Sequence, residues 1–513
     1  MQQRSLVDAL AHDLAAASFS GGGVAALVGD DAVEALGRML AAPARRAALR
    51  QPGPLSTLVR AFWLGDTMPE AEMADALPSL GVEGAVALGI AARRDGAVEP
   101  LAAIRSHPYR AASGEGWWWI ASDLDELAGV WPLRPDHVLG VGGAARTLAA
   151  LLPQGPIGGA PEPDAALGLG TALDLGTGCG VIALHLRAVA ARVVATDISQ
   201  RALWFTELNA ALNGIDGIET RLGSLFEPVA GERFDLIASN PPFVITPRAE
   251  GVPEYEYRDG GAAGDALMAA VVSGLHEHLV PGGHARLLGN WETVDGIAGL
   301  DRVAGWDGGG LDVWAIERDA LDPVAYAALW LRDGGTLARD GDHDRLLDAW
   351  LADFEERRVS AIGMGWLALH ASSDGAALLR FERIAQAVQL EHVGQHIVDA
   401  FDAAAWLSPL DDMALAAQHL LVAPDVTEAR HQLPGAAGPN VIELRQGGGL
   451  ARTLSVDTAL AALVGACDGE LAVGPLIGAI AGLLEVDEAI LAADLLPRVR
   501  ELVVTGFLLP VSG

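Results

Sequence analysis

TALDLGTGCG, residues 171–180, and FDLIASNPPF, residues 234–243, decide how this chain is read. The first is an apolar strand running into a turn with three glycines at alternate positions. The second is an apolar strand ending in a short hook stiffened by two prolines. Between them RVVATD, residues 192–197, supplies a third strand that stops on an acid. Three strand ends of this chemistry predict a nucleotide-like ligand held above a parallel sheet, with a reactive hook beside it.

Outward from this centre, strand and helix patterns alternate, as in a doubly wound parallel sheet. Predicted strands fall at 171–175, 192–197, 217–222, 234–239, 283–290, 311–318 and 359–369. The stretch 319–358, with DPVAYAALWL and DRLLDAWLADFEERR, exceeds a plain crossover and is expected to be a helical excursion. Upstream, WPLRPDHVLGVGGAARTLAALLP gives a turn and then a helix from about Val138 to Leu152. GPIGGAPEPDAALGLG, residues 155–170, reads as a connection rich in glycine and proline.

Residues 1–130 are predicted to be mostly helical, with Leu6, Leu10 and Leu14 at helical spacing. Three short helices followed by a strand pair outline a winged-helix module; a helical cap with a small ribbon is the alternative. On the strand carrying Trp117, Trp118 and Trp119, alternation is expected to bury Trp117 and Trp119 and turn Trp118 outward. From 386 to 513, three amphipathic segments with glycine-type stops give a second winged-helix-like outline. Its exposed faces are acidic or neutral, which suits protein contact better than DNA. The expected division is therefore 1–130, 131–385 and 386–513.

Composition narrows the chemistry. A formal charge of -33 from 67 acids and 34 bases disfavours a broad phosphate-binding surface. All of the bases are arginine, so a Schiff-base lysine and a lysine-bearing phosphate loop are excluded. Two cysteines, Cys179 and Cys467, make neither a disulfide framework nor a cysteine zinc site. No obvious metal cluster stands out, so no metal is expected. Asp8 and Asp13 interrupt the first apolar pattern, and no membrane-length apolar run follows, so a cytoplasmic protein is expected. The arginine-rich, lysine-free composition suits a bacterial genome.

In the first stretch Gly176, Gly178 and Gly180 let the backbone turn tightly and present main-chain N–H groups, with Thr177 inside the same turn. Gly178, Gly180 and Ala183 also satisfy the dinucleotide pattern G-x-G-x-x-A. Asp174 argues against that pattern, because its carboxylate would repel a pyrophosphate. It suits instead a cofactor with an amino group and a positive sulfonium. Asp197, followed by Ile198, ends its strand where a carboxylate accepts from both ribose hydroxyls; capping the next helix is the alternative. In the hook, Pro241 and Pro242 fix the backbone and remove donors. The Pro241 carbonyl and the Asn240 side chain are then left as acceptors for a planar –NH2 group, with Phe243 placed to lie against its flat face. His185, within a predicted helix, is assigned to packing.

These motifs resemble class I S-adenosylmethionine-dependent methyltransferases of the small-domain type with an NPP[FY] hook. Among these the stretch is similar to enzymes that methylate glutamine amides of release factors or exocyclic amines of RNA bases. The resemblance implies a Rossmann-like seven-stranded sheet and S-adenosyl-L-methionine as cofactor. It assigns Asp174, Gly176, Gly178 and Gly180 to the cofactor loop, Asp197 to the ribose, and Asn240, Pro241, Pro242 and Phe243 to the acceptor hook. Arg134 and Pro135, before Asp136, resemble a segment preceding the catalytic domain in the glutamine enzymes and are expected at the substrate. Asp259, Gly260 and Gly261, with Gly264 and Asp265, resemble their post-hook segment. Where relatives carry an acid for the adenine amine, this chain has Ser224 and Leu225. A protein glutamine is the favoured acceptor, a nucleic-acid base (RNA or DNA) the alternative, and a non-catalytic cofactor sensor the third reading.

Overall fold

The computed structural model describes residues 2–111, 114–129, 133–153, 169–249, 251–253, 258–306, 308–373 and 375–511. The connection expected at 155–170 lies, up to residue 168, outside the described residues. At the centre is a mixed eight-stranded sheet. Its strands are β1 (Leu169–Leu175), β2 (Ala190–Asp197), β3 (Ile218–Leu222), β4 (Phe234–Ser239), β5 (Leu279–Val294), β6 (Asp312–Leu321), β7 (Val359–His370) and β8 (Leu379–Arg383). Their order across the sheet is β8-β6-β7-β5-β4-β1-β2-β3. The five strands from β3 to β5 are parallel, and β7 runs antiparallel to both β5 and β6.

Ala172, Leu173, Val193, Val194, Leu236 and Ile237 are all fully buried. Their continuous apolar runs fit a sheet covered on both faces, where strands lose simple alternation. The chain leaves β1 toward β2 on one side and returns through β4 on the other. The crevice of this topological switch point therefore opens at the C-terminal ends of β1 and β4. Register places Leu175 beside both Thr196 and Ser239, so the motif-bearing strand ends share one edge.

Eight strands replace the expected seven. The addition, β8, pairs in parallel with β6 at the sheet's rim. Its LRFER sequence buries little, so no apolar run announced it. The helical excursion forms as a pair, Pro323–Asp333 and His343–Glu356, between β6 and β7. The helix expected from Val138 begins later, at Gly143, leaving Leu133–Gly142 irregular apart from turns.

Among the described N-terminal residues are seven α-helices and a π-helical segment, Val59–Trp63, with a three-stranded sheet and a hairpin, Ala103–Ala111 with Gly114–Ser122. In that hairpin the expected tryptophan phase is reversed. Trp118 is 6% exposed, stacked on Tyr109 at 4.1 Å and edge-on to His185 at 4.9 Å, whereas Trp117 is 43% exposed. Trp119 stays half-buried, its Nε1 donating to the Phe19 carbonyl at 2.6 Å. Both phases of WWWIA are apolar, so local alternation left the choice to whichever face the sheet's helices covered. Pro54–Leu58, Met68–Pro69, Glu70–Ala76, Gly81–Ala87 and Ala91–Arg94 run helix, strand, helix, helix, strand. Thr458–Ala466, Asp468–Ala472, Val473–Leu484, Glu488–Val504 and Leu508–Pro510 repeat that order near the C-terminus. A second three-stranded sheet, 426–456, precedes the latter set.

Candidate active site

A cavity of about 390 Å³ opens at the shared edge of β1, β2 and β4. Asp174, Gly176, Thr177 and Gly178 line it from the first turn, Asp197 and Ile198 from the second, and Ser224 and Leu225 from the third. Asn240, Pro241 and Pro242 line it from the hook, and Asp259, Gly260 and Gly261 from the segment after it. The tertiary fold thus brings together residues separated by more than 80 positions in the sequence.

The glycine turn has a physical cause. Gly176 and Thr177 both donate their N–H to the Thr196 carbonyl of β2, at 3.0 and 2.9 Å. Gly176, Gly178 and Gly180 have φ of 78°, 54° and 81°. At Gly180 a side chain is doubly barred: φ is left-handed, and a Cβ would lie 2.8 Å from Thr206 Oγ1 and 2.9 Å from its Cα. Gly180 is not among the cavity-lining residues; it caps helix α1 (Val181–Arg187) and lets the turn close on helix α2 (Gln200–Leu212).

Two carboxylates define the electrostatics. Asp174 is 1% exposed and accepts from Thr177 Oγ1 at 2.6 Å. Burial pushes its carboxyl up to about 7, against the Thr177 hydroxyl and the Ala183 backbone N–H, which favour the charge. Asp197 accepts from Gly178 N and Ser199 N, each at 2.9 Å, yet burial still raises its pKa. A cation beside Asp174 and hydroxyl donors beside Asp197 would relieve both. The buried Cys179 thiol also lines the cavity, and burial pushes it up to about 11, so it stays neutral.

At the hook, Asn240 Oδ1 is buried without a hydrogen-bond partner among the described residues. Such an orphaned acceptor is costly unless a ligand meets it. Ser239 Oγ donates to the Leu175 carbonyl at 2.7 Å and ties the hook to β1. Behind it, Tyr326 of the helical excursion places its hydroxyl 3.1 Å from Ile245 N and 2.7 Å from Asn290 Nδ2.

Besides Gly180, three further expected positions fall elsewhere. Phe243 does not line the cavity. It is half-buried between three apolar clusters, and its backbone bridges Asp259. The antiparallel bridge to Asp259 holds it in that packing. Arg134 and Pro135 do not line the cavity either; Arg134 pairs with Asp136 at 2.5 Å over a neighbouring surface depression that reaches Ile198 and Ser199. His185 is packed against Trp118 and His107, and burial lowers it to about 3, keeping the ring neutral.

Sequence reading missed the roof. His137, Val138, Leu139, Gly140, Gly142, Ala144 and Ala145 line the cavity as a strap across it. The close spacing of Gly140, Gly142 and Gly143 just before a helix was the available signal. Leu267 and Val271 add an apolar wall from helix α3 (Ala266–His278). Among the described residues, no group of three or more His, Cys, Asp or Glu is arranged to hold a metal. No helix among them is long and apolar enough to cross a membrane.

The sheet order, the glycine turn under two strand-end acids and the Asn-Pro-Pro hook are the features expected of a class I S-adenosylmethionine-dependent methyltransferase domain. In agreement, residues 164–252 match the family model of the methyltransferase small domain. Residues 16–101 and 398–510 match two domains of unknown function, DUF7059 and DUF7782. The chain is 37% identical over 141 residues to the release factor glutamine methyltransferase of Xylella fastidiosa, covering 26% of this chain and 51% of that relative. It is 35% identical over 171 residues to the release factor glutamine methyltransferase of Geobacter sulfurreducens, covering 28% and 58%. The chain thus spans a little over half the length of these relatives. A solved ribosomal protein L11 methylase from Lactobacillus delbrueckii subsp. bulgaricus is 29% identical, covering 31% of this chain and 65% of that one, with a TM-score of 0.20.

Proposed function

We propose that this chain is an S-adenosylmethionine-dependent N-methyltransferase whose acceptor is a planar nitrogen, a glutamine side-chain amide of a protein. The observation that carries this reading is the orphaned, buried Oδ1 of Asn240 in the same cavity as Asp174 and Asp197. The names of the similar release factor enzymes support the glutamine amide. The acidic charge of the chain favours a protein over a nucleic acid as partner.

When bound, the cofactor supplies a methyl group on a positive sulfonium. Asp174 would hold its amino group, Asp197 its ribose hydroxyls, and Ile198, Ser224 and Leu225 its base. The turn Gly176–Gly178, its N–H groups already engaged by the Thr196 carbonyl and Asp197, would let the cofactor lie close against bare backbone. An amide nitrogen is a poor nucleophile because its lone pair is delocalised into the carbonyl. Asn240 Oδ1 and the Pro241 carbonyl would each accept one N–H, which turns the amide and concentrates the lone pair toward the methyl. Orientation therefore carries most of the acceleration: as the nitrogen–methyl bond formed, the methyl–sulfur bond would break with its electron pair left on sulfur, and the surplus N–H proton would pass to solvent, so no strong general base is needed. Arg134, Pro135 and Phe243 are assigned to the acceptor's surroundings rather than to the cavity. The terminal modules, read as winged-helix-like, would hold the substrate in a cytoplasmic setting.

The test is transfer of radiolabelled methyl from cofactor to a cell lysate, followed by protease or RNase. Label removed by protease and mapped to a glutamine is the expected result. Label removed by RNase alone would transfer the reading to a nucleic-acid base, and cofactor binding without label would make the chain a sensor.

A further inference from the structure

One face of α2 ties the glycine turn to the N-terminal hairpin. Asn209 is fully buried; its Oδ1 accepts from Ala121 N at 2.7 Å, and its Nδ2 donates at 2.8 Å to the carbonyls of both Ala121 and Cys179. One turn later, Asn213 treats Trp119 the same way, accepting from its N at 2.9 Å and donating to its O at 2.8 Å. Two strand residues advance about 6.7 Å and four helical residues about 6 Å, so the side chains match the strand's repeat. The two asparagines thus stand in for a missing neighbour on the hairpin's open edge.

The same strand continues to Asp123, which receives Arg201 from the start of α2 through both Nε and Nη2. Asp123 also exchanges bonds with Val138 of the cavity's roof: Val138 N to Oδ2 at 2.9 Å, and Asp123 N to the Val138 carbonyl at 3.1 Å. Of the two asparagines, Asn209 alone bonds to the glycine turn. Its hold on the Cys179 carbonyl fixes the peptide leading into Gly180.

We propose that Asn209 is a positioning residue that makes docking of the N-terminal hairpin and closure of the cofactor turn one event. Cofactor binding and hairpin docking are then reciprocally coupled, each tightening the other by the same factor. This inference rests on the cofactor reading above. It gives the N-terminal module a part in the cofactor site, beyond substrate holding.

The full-length chain tests it with S-adenosylhomocysteine as an unreactive probe, using calorimetry and amide hydrogen exchange. Asn209→Ala is expected to weaken binding roughly tenfold, as loss of a bond to a buried carbonyl would. Asn213→Ala is expected to free the Trp119 amide while changing affinity by less than about twofold, because it never reaches the turn. In the parent protein, saturating probe should slow exchange at the Ala121 amide. Equal losses in the two variants, no loss in Asn209→Ala, or unchanged Ala121 exchange in the parent would each overturn the coupling. If Asn209→Ala fails to fold, the parent's Ala121 exchange decides alone. Failure of the parent to bind the probe would instead overturn the cofactor reading itself.

Discussion

Protons should compete with the cofactor at Asp174. Its carboxyl is fully enclosed, and burial raises it to about 7. An ammonium group placed beside it favours the ionised form, so binding has to expel a proton from whatever fraction is protonated. The sign follows: affinity is fullest above the free protein's pKa and falls as pH drops below it. With half the groups ionised at about pH 7 and about 3% at about pH 5.5, affinity should weaken roughly fifteenfold over that interval. Asp197 is raised too and adds to the same trend, so a variant must separate the two. Asp174→Asn keeps the shape and an acceptor oxygen but removes the charge. It should cost at least about 2 kcal/mol, near thirtyfold, since a desolvated cation loses its partner. Calorimetric titration with S-adenosylhomocysteine in matched buffers reads both effects. A flat parent profile, or a slope in Asp174→Asn as steep as the parent's, would refute the assignment.

Asn240→Ala removes the orphaned acceptor; methyl transfer should fall more than about a hundredfold while probe affinity stays within about threefold, because orientation alone is lost. Equal loss of both would sink the assigned role. Gly180→Ala should destabilise the fold by about 2 kcal/mol, seen as a lower unfolding midpoint, since its Cβ meets Thr206 in a left-handed turn. Tyr326→Phe leaves the Ile245 N–H and the Asn290 amide without their shared oxygen. About 2 kcal/mol of stability should go, and transfer should slow with cofactor affinity unchanged; normal turnover would separate the helical excursion from the hook.

Seven of the eight central strands were legible, β1, β2 and β4 as apolar runs closed by a turn or an acid and the polar β3, IETRL, from its place in the strand–helix alternation. β8 was not, since a short rim strand such as LRFER needs no apolar run to pair with β6. The cavity-lining acids, glycines and Asn240 were legible from motif chemistry at strand ends. That Phe243 packs outside the cavity was not legible, because its place depends on a bridge to Asp259, 16 residues further along the chain. The roof from His137 to Ala145 was hidden for another reason: apart from His137 its lining residues are apolar or glycine, and only closure over the sheet sets them against the cavity.

The sequence by itself determined the parallel core, the position of the two carboxylates and the rigid hook, because each depends on local backbone geometry or on the burial of a continuous apolar run. The tertiary structure decided the rest. It chose the tryptophan phase where both faces of WWWIA were apolar, and it turned Phe243 into the packing beside Asp259. It also set Asn209 between the Ala121 strand and the Cys179 carbonyl. Such pairings join residues distant in the chain, so they arise only when whole elements pack.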